Sequence, residues 1–203
     1  MGSKIPVVIY LVGAFSAYLV RIPALILNIR TSSPRDRLTT AQRFEKEGYL
    51  AGVMMVLWFI TSILLPLLYL GTDWLAVFDF SMPHGFIYIG TGLFLLCLLI
   101  LARAHFDLAR NWSAVAQIKE QQALVTNGIY AHIRHPIYSA HLLWGLAQVF
   151  LLHNWLAGLA GSVLIFLIIF LRLPREERLL LEQFGEDYRA YMERTGGLLP
   201  KLH

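Results

Sequence analysis

Apolar residues run along this chain in long stretches that are separated by short polar segments. At about 1.5 Å of rise per helical residue, roughly 20 residues cross the ~30 Å apolar layer of a bilayer. Five stretches approach or exceed this length: Ile5 to Leu27, Tyr49 to Leu70, Gly85 to Ala102, Pro136 to Leu152 and Trp155 to Leu171. The pattern therefore predicts an all-α, polytopic membrane protein with five transmembrane helices. Because only His153 and Asn154 separate helices 4 and 5, these two are expected to form a tight hairpin.

The polar segments on either side of this hairpin carry weaker secondary-structure signals. Residues Ala114 to Gln122 are moderately polar and predict a short interfacial helix, and Leu124 to Gly128 predicts an extended segment that ends in an Asn-Gly turn. After Leu171, apolar residues recur at helical spacing and predict an amphipathic C-terminal helix, with a kink permitted at Pro174. The Thr195-Gly-Gly197 triplet is expected to end this helix.

The composition supports a membrane protein, since 57% of the 203 residues are hydrophobic and 15% are charged. No repeat, low-complexity tract or linker divides the chain, so residues 1–203 are interpreted as a single integral membrane domain. The one cysteine, Cys97, lies in the third apolar stretch, which argues against a disulfide or a thiolate metal cluster.

Basic residues are distributed unevenly among the connections. They follow the first and third apolar stretches and recur in the tail, whereas Gly71 to His84 and His153–Asn154 contain no Lys or Arg. Lys and Arg are retained on the cytoplasmic side, so the N-terminus is expected outside and the C-terminus inside, with Lys4 as the exception. Six acidic residues balance six basic ones in the tail, which makes a nucleic-acid surface improbable.

Two polar groups stand out at this inner boundary. The run Asn127 to Tyr138 contains two His, one Arg, two Tyr and a Pro, and its residue types fit an interfacial anchor or a ligand site equally well. No carboxylate partner of its histidines is evident in the sequence, so no metal site is predicted. In the tail, Arg172 and Glu176 are four residues apart and share a helix face, beside a second carboxylate at Glu177. They form either a surface ion pair or a functional group at the membrane surface.

A third polar feature lies within the fourth apolar stretch. His141, Trp144 and Gln148 are spaced to share one face of that helix. The stripe faces either a cavity or a neighbouring helix.

From about Asp107 to the end, nearly half of the chain carries an ordered set of short motifs. They are Asn111-Trp-Ser113, Leu124-Val-Thr126, Gly128-Ile-Tyr130, Arg134-His-Pro-Ile-Tyr138, Arg172-Leu-Pro-Arg-Glu-Glu-Arg-Leu179, Phe184-Gly185, Tyr188, Tyr191 and Thr195. This set closely resembles the isoprenylcysteine carboxyl methyltransferase family, including its prokaryotic members and the wider phospholipid methyltransferase group.

The resemblance implies a membrane-embedded methyltransferase that uses S-adenosylmethionine, with the cofactor-binding part at about residues 107–203. It implies a catalytic pair, Arg172 and Glu176, in which Arg172 binds the substrate and Glu176 the cofactor. The cofactor pocket is implied to be lined by Gln122, Ala123, Leu124, Val125, Tyr130, His135, Pro136, Ile137 and Tyr138. Two positions depart from the family pattern: Gln122 stands where His is frequent, and Gly197 where a basic residue is frequent.

Methyl transfer from a sulfonium to an oxygen is an in-line displacement, so alignment of donor and acceptor is the main requirement. A carboxylate acceptor is ionised near neutral pH and requires no general base. With the resemblance, the leading hypothesis is carboxyl methylation of a prenylated cysteine that enters laterally from the membrane. The alternatives are N- or O-methylation of a phospholipid or another small lipophile, and a non-enzymatic transporter or assembly factor. The oligomeric state is left open.

Overall fold

The computed structural model describes residues 4–31, 49–108 and 123–201, and these residues are almost entirely helical. Helix α2 runs as Tyr49–Phe59, a π-helical turn Ile60–Leu64 and Leu65–Gly71, and helix α5 opens with a π-helical turn, Trp155–Leu159, before Ala160–Arg194. The other long helices are α1 (Ile5–Thr31), α3 (Gly85–Leu108) and α4 (Pro136–Leu152), and two 3-10 turns cover Ala76–Phe78 and Gly128–Ala131. The interfacial helix predicted over Ala114 to Gln122 lies outside the described residues.

The helices have the length and composition of membrane spans. Helices α1, α2, α3 and α5 are each long and apolar enough to cross a bilayer, and α4 is a shorter apolar helix of 17 residues. Helices start where the apolar pattern starts, but α1 continues to Thr31 and α3 to Leu108, beyond the predicted ends at Leu27 and Ala102. Polar residues extend these helices because helical hydrogen bonding does not require an apolar side chain. The prediction of an all-α integral membrane protein is confirmed.

Helix α4 occupies the centre of the bundle and packs against α1, α3 and α5. Trp144 is fully buried, and its Nε1 donates a hydrogen bond to the hydroxyl of Tyr10 on α1 at 2.9 Å. Nε2 of Gln148 donates to the carbonyls of Thr61 and Ala157 at 2.8 and 2.6 Å. The polar stripe predicted on α4 therefore faces neighbouring helices.

The hairpin between α4 and α5 forms as predicted. His153 adopts a left-handed conformation with φ of 47°, and the buried Asn154 caps α5 by accepting hydrogen bonds from the backbone N–H groups of Leu156 and Ala157. Nδ2 of Asn154 also donates to the carbonyl of Leu75 at 2.8 Å. Because the two helices run antiparallel, the start of α4 lies beside the polar part of α5.

The polar part of α5 extends well beyond the apolar segment that ends at Leu171. The helix passes Pro174 without a break, and the residue with non-helical dihedral angles is Gly185, with φ of 51° and ψ of −122°. The kink permitted at Pro174 was thus misplaced: proline removes one hydrogen bond but keeps a helical φ, whereas a φ near +50° interrupts the helix and favours glycine. Thr195 is the C-cap, as predicted.

Candidate active site at the start of helix α4

A partly buried ionic cluster joins the residues before α4 to the tail. Nε and Nη2 of Arg134 donate hydrogen bonds to Oε1 of Glu177 at 3.2 and 2.8 Å. Nε2 of His135 lies 3.2 Å from the same oxygen. Since a carboxylate accepts, this ring nitrogen carries the proton. One carboxylate oxygen thus fixes two consecutive residues of the loop.

A second cluster lies beside the first, one residue earlier along α5. The hydroxyl of Tyr138 donates a hydrogen bond to Oε1 of Glu176 at 2.5 Å, and Nη2 of Arg172 lies 3.6 Å from that oxygen. The Arg172 and Glu176 side chains are 14% and 24% exposed, so a ligand can reach them. An anion and a cation held side by side are suited to a ligand that carries both charges. The structure therefore brings together Tyr138, Arg172 and Glu176, which the sequence analysis assigned to the site.

The residues that follow α5 close over the start of α4. The backbone N–H groups of Arg134 and His135 donate to the carbonyls of Gly196 and Gly197 at 2.8 and 3.0 Å. The hydroxyl of Ser139, in the first turn of α4, donates to the carbonyl of Leu198 at 2.5 Å. A Cβ on Gly196 would lie 1.8 Å from the Leu199 carbonyl oxygen, so this crossing requires glycine.

The segment before Arg134 is fixed to α3. Gly128 has φ of +59°, and a Cβ there would lie 2.1 Å from Oδ2 of Asp107. The same oxygen accepts a hydrogen bond from the backbone N–H of Ile129 at 2.7 Å and from Nε of Arg103 at 2.8 Å. The positive φ and the close approach to Asp107 thus explain why the predicted Asn-Gly turn has glycine at position 128.

Tyrosines form the buried floor of the cluster. Tyr130 is 6% exposed, and its carbonyl accepts a hydrogen bond from the Tyr191 hydroxyl at 2.5 Å. Burial raises the pKa of Tyr191 to about 12 and also raises the pKa of Tyr130. Both phenols therefore remain protonated at neutral pH.

The pKa of the Glu177 carboxyl is lowered from 4.5 to about 2. The His135 hydrogen bond is the largest cause and the Arg134 bonds contribute, whereas partial burial opposes the shift. Glu177 is thus a permanent anion near neutral pH, which suits an anchoring role.

The remaining predicted site residues differ in their exposure. Pro136 is the buried first residue of α4, and Ile137 is partly buried beside it. Leu124 and Val125 are partly exposed, Ala123 is exposed, and Gln122 lies outside the described residues. A Cβ on Gly197, the second departure from the family pattern, would be 3.6 Å from Nη2 of Arg134. Within residues 4–31, 49–108 and 123–201, no three His, Cys, Asp or Glu side chains come together as a metal site.

Sequence reasoning missed the roles of Glu177 and Arg134. Glu177 is the carboxylate partner of His135 that the sequence did not reveal, since 42 residues separate them. The run that contains Arg134 was predicted to be either an interfacial anchor or a ligand site. In the structure the Arg134 side chain is 12% exposed and also donates to the carbonyls of Met192 and Thr195. The sequence did contain one signal for the role of Glu177. An ion pair between Arg172 and Glu176 needs one carboxylate, so the adjacent second carboxylate pointed to a further partner.

Residues 89–182 match the family model described as the isoprenylcysteine carboxyl methyltransferase (ICMT) family. The chain is 30% identical over 115 residues to a probable protein-S-isoprenylcysteine O-methyltransferase of Oryza sativa subsp. indica, covering 56% of this chain and 60% of the relative. It is 31% identical over 99 residues to the Homo sapiens protein-S-isoprenylcysteine O-methyltransferase, covering 48% of this chain and 35% of that protein. The chain thus spans between about a third and three fifths of these relatives.

A solved structure of a eukaryotic intramembrane Ras methyltransferase, ICMT, shares the fold. It superposes with a TM-score of 0.56 at 23% identity, and the match covers 92% of this chain and 62% of that one. The family match includes α4, the first part of the tail and both carboxylates of the site. Residues 89–182 are therefore similar to the isoprenylcysteine carboxyl methyltransferase family.

Proposed function

We propose that this protein transfers a methyl group from S-adenosylmethionine to a lipidic carboxylate, most concretely that of a prenylated cysteine. The observation that carries the proposal is the Tyr138–Glu176–Arg172 cluster, which lies within the segment that matches the family. The relatives' names support this reaction, and the assignment to this chain is our inference.

The residues of the site fit the donor. When bound, S-adenosylmethionine supplies a methyl group on a positively charged sulfur. Its ammonium and sulfonium charges require an anion, which Glu176 offers beside Arg172. The His135 and Tyr138 rings are nearly parallel, 6.0 Å apart, and supply an aromatic wall. Glu177 fixes this wall through His135.

The proposed pocket is formed by three parts of the chain: the segment before α4, the start of α4 and the polar part of α5. Glu176 binds the cofactor, and the remaining lining is Gln122, Ala123, Leu124, Val125, Tyr130, His135, Pro136, Ile137 and Tyr138. Arg172 orients the acceptor carboxylate through its planar guanidinium. The backbone contacts of Gly196 and Gly197 with residues 134 and 135 hold the tail over the start of α4 and keep these sides together.

The chain's contribution to the reaction is alignment and exclusion of water. Arg172 and Glu176 lie one helical turn apart on the same face, so groups bound to each are held within reach of the other. Holding two reactants in line lowers the barrier by up to roughly 7–11 kcal/mol in favourable cases. Partial burial of both side chains strengthens their interactions with charged ligands.

The topology that accompanies this function has five spans, with the N-terminus outside and the C-terminus in the cytosol. Helix α4 is the short fifth span: its 17 residues correspond to about 26 Å of helix. The hairpin places the start of α4 and the polar part of α5 at one end of the bundle, which is the basic, cytosolic end of the charge pattern. The acceptor enters from the membrane and the cofactor from the cytosol.

The test is calorimetric titration of the purified full chain with S-adenosylmethionine, followed by methyl transfer to prenylcysteine analogues and lipid extracts, with mass spectrometry of the product. Saturable binding and a methyl ester product are expected. Absence of saturable binding overturns the proposal. A rate that climbs with pH until an amine loses its proton contradicts a carboxylate acceptor, for which the rate is expected to change little above about pH 5.

A further inference from the structure

An arginine inside the membrane-spanning part of α1 lies outside the clusters described above. Arg21 precedes Leu27, the end of the apolar segment, by six residues, or about 9 Å along the helix. A cation at this depth is costly, and such residues face the bundle interior and mark functional sites. Arg21 is partly buried and points at α4.

The Arg21 side chain is held by neutral groups. Its Nη2 contacts Nε2 of His141 on α4. Nδ1 of His141 is 2.6 Å from the carbonyl oxygen of Ile137, which only accepts, so Nδ1 carries the proton and Nε2 accepts from the guanidinium. The rings of Tyr18 and Trp144 lie 5.4 and 6.0 Å from Cζ of Arg21. These contacts orient the guanidinium without neutralising it.

The charge of Arg21 has no carboxylate partner among residues 4–31, 49–108 and 123–201. The two arginines of the site itself differ in this respect, since Arg134 is paired with Glu177 and Arg172 with Glu176. A buried cation that is oriented but unpaired is suited to an anionic ligand.

The position of Arg21 connects it to the proposed active site. Tyr138 and His141 are three residues apart on α4 and therefore share a face. Tyr138 binds Glu176, and His141 binds Arg21 one turn deeper into the membrane. Two cations thus act on the same face of α4, one near the membrane surface and one below it.

We propose that Arg21 is a second binding residue for the acceptor carboxylate, reached from the membrane side, with His141 positioning its guanidinium. The inference rests on the proposed function and deepens it. A guanidinium presents two parallel donors to a carboxylate, and the apolar surroundings strengthen that pair. Arg172 then contacts the same carboxylate from the side of the tail.

This arrangement distinguishes the acceptor from its product. A carboxylate oxygen forms the new C–O bond as the donor's C–S bond breaks, and the electron pair stays on sulfur, so no proton moves. The resulting ester is neutral and loses the charged interaction with Arg21. Because the carboxylate is already charged when the acceptor binds, loss of this interaction is expected to raise KM more than it lowers kcat.

The test compares two ligands of the full chain in detergent: an N-acetylated prenylcysteine with a free carboxylate, and its methyl ester. Replacement of Arg21 by Met keeps an unbranched apolar side chain and removes the guanidinium with its charge. We expect R21M to weaken carboxylate binding by about 10- to 100-fold, as for loss of a charge-assisted hydrogen bond. Ester and cofactor affinities should stay within about threefold of wild type, and KM should rise more than kcat falls.

The matched control is R189M, which removes an exposed arginine of the tail and should leave both ligands unaffected. If R21M does not fold, R21K and H141F provide the same comparison, each with a smaller loss of carboxylate binding. Retained preference for the carboxylate over the ester in the Arg21 variant overturns this inference alone, provided that wild type methylates a carboxylate. Wild-type protein that methylates no carboxylate overturns the proposed function and this inference together.

Discussion

The guanidinium of Arg134 donates two hydrogen bonds to one carboxylate oxygen of Glu177, from Nε at 3.2 Å and from Nη2 at 2.8 Å. The two residues are 43 positions apart in sequence, and their side chains are 12% and 23% exposed. Nη1 of Arg134 also binds the carbonyls of Met192 and Thr195. A single side chain thus holds the loop before α4, the polar part of α5 and the end of that helix in one arrangement.

Replacement of Arg134 by Met is expected to destabilise the protein by about 2–3 kcal/mol. The substitution leaves the Glu177 carboxylate with His135 as its remaining donor and removes the Arg134 donor from two backbone carbonyls. Partly buried groups that lose a charged partner carry a large penalty. Thermal unfolding in detergent measures the effect. The control is R189M, whose exposed ion pair with Glu186 should contribute less than about 1 kcal/mol. Equal unfolding midpoints for the two variants would contradict the anchoring role.

The lowered pKa of Glu177 predicts how this anchor responds to acid. The carboxyl pKa is about 2 in the folded protein and 4.5 when unperturbed, so the anion stabilises the folded state at pH values above 4.5. As the pH falls from 4.5 toward 2, the stabilisation is lost progressively. The measurement is the unfolding midpoint of wild type and E177Q across this interval. The difference between them should shrink as the pH falls, and a constant difference would show that the ionised carboxylate contributes nothing.

The sequence predicted the helices better than the contacts between them. Apolar length determined the first residue of α3 and both ends of α4, because membrane spans must satisfy their backbone hydrogen bonds internally. The pairing of His135 with Glu177 and of Arg21 with His141 was not predictable, since helix packing brings these residues together from 42 and 120 positions apart. By contrast, the Arg172–Glu176 pair, four residues apart on one helix, was accessible to pattern reasoning.

Substitution of Glu176 by Ala is expected to weaken cofactor binding by at least about 100-fold, whereas Arg172→Ala should mainly raise KM for the acceptor. The reason is the proposed division of charge within the site, in which Glu176 is the anion for the donor and Arg172 the cation for the acceptor. Calorimetry with S-adenosylmethionine measures the first effect and acceptor titration the second. E186A removes an exposed carboxylate from the same helix and should change neither. Unaltered cofactor affinity in E176A would reverse these assignments.

Gly128 offers a test of how the segment before α4 supports the pocket. Alanine at this position is unfavourable for two reasons. The φ of +59° strains a residue with a Cβ, and that Cβ would lie 2.1 Å from Oδ2 of Asp107. Because Asp107 binds the backbone N–H of Ile129, relief of this clash must move the loop that leads to Tyr130. We therefore expect G128A to lower the unfolding midpoint and to weaken cofactor binding by about tenfold or more. The matched control is G92A on α3, where a Cβ meets nothing within 4 Å and helix propensity favours alanine by up to about 1 kcal/mol. If G128A binds the cofactor as tightly as G92A does, the loop is not part of the pocket.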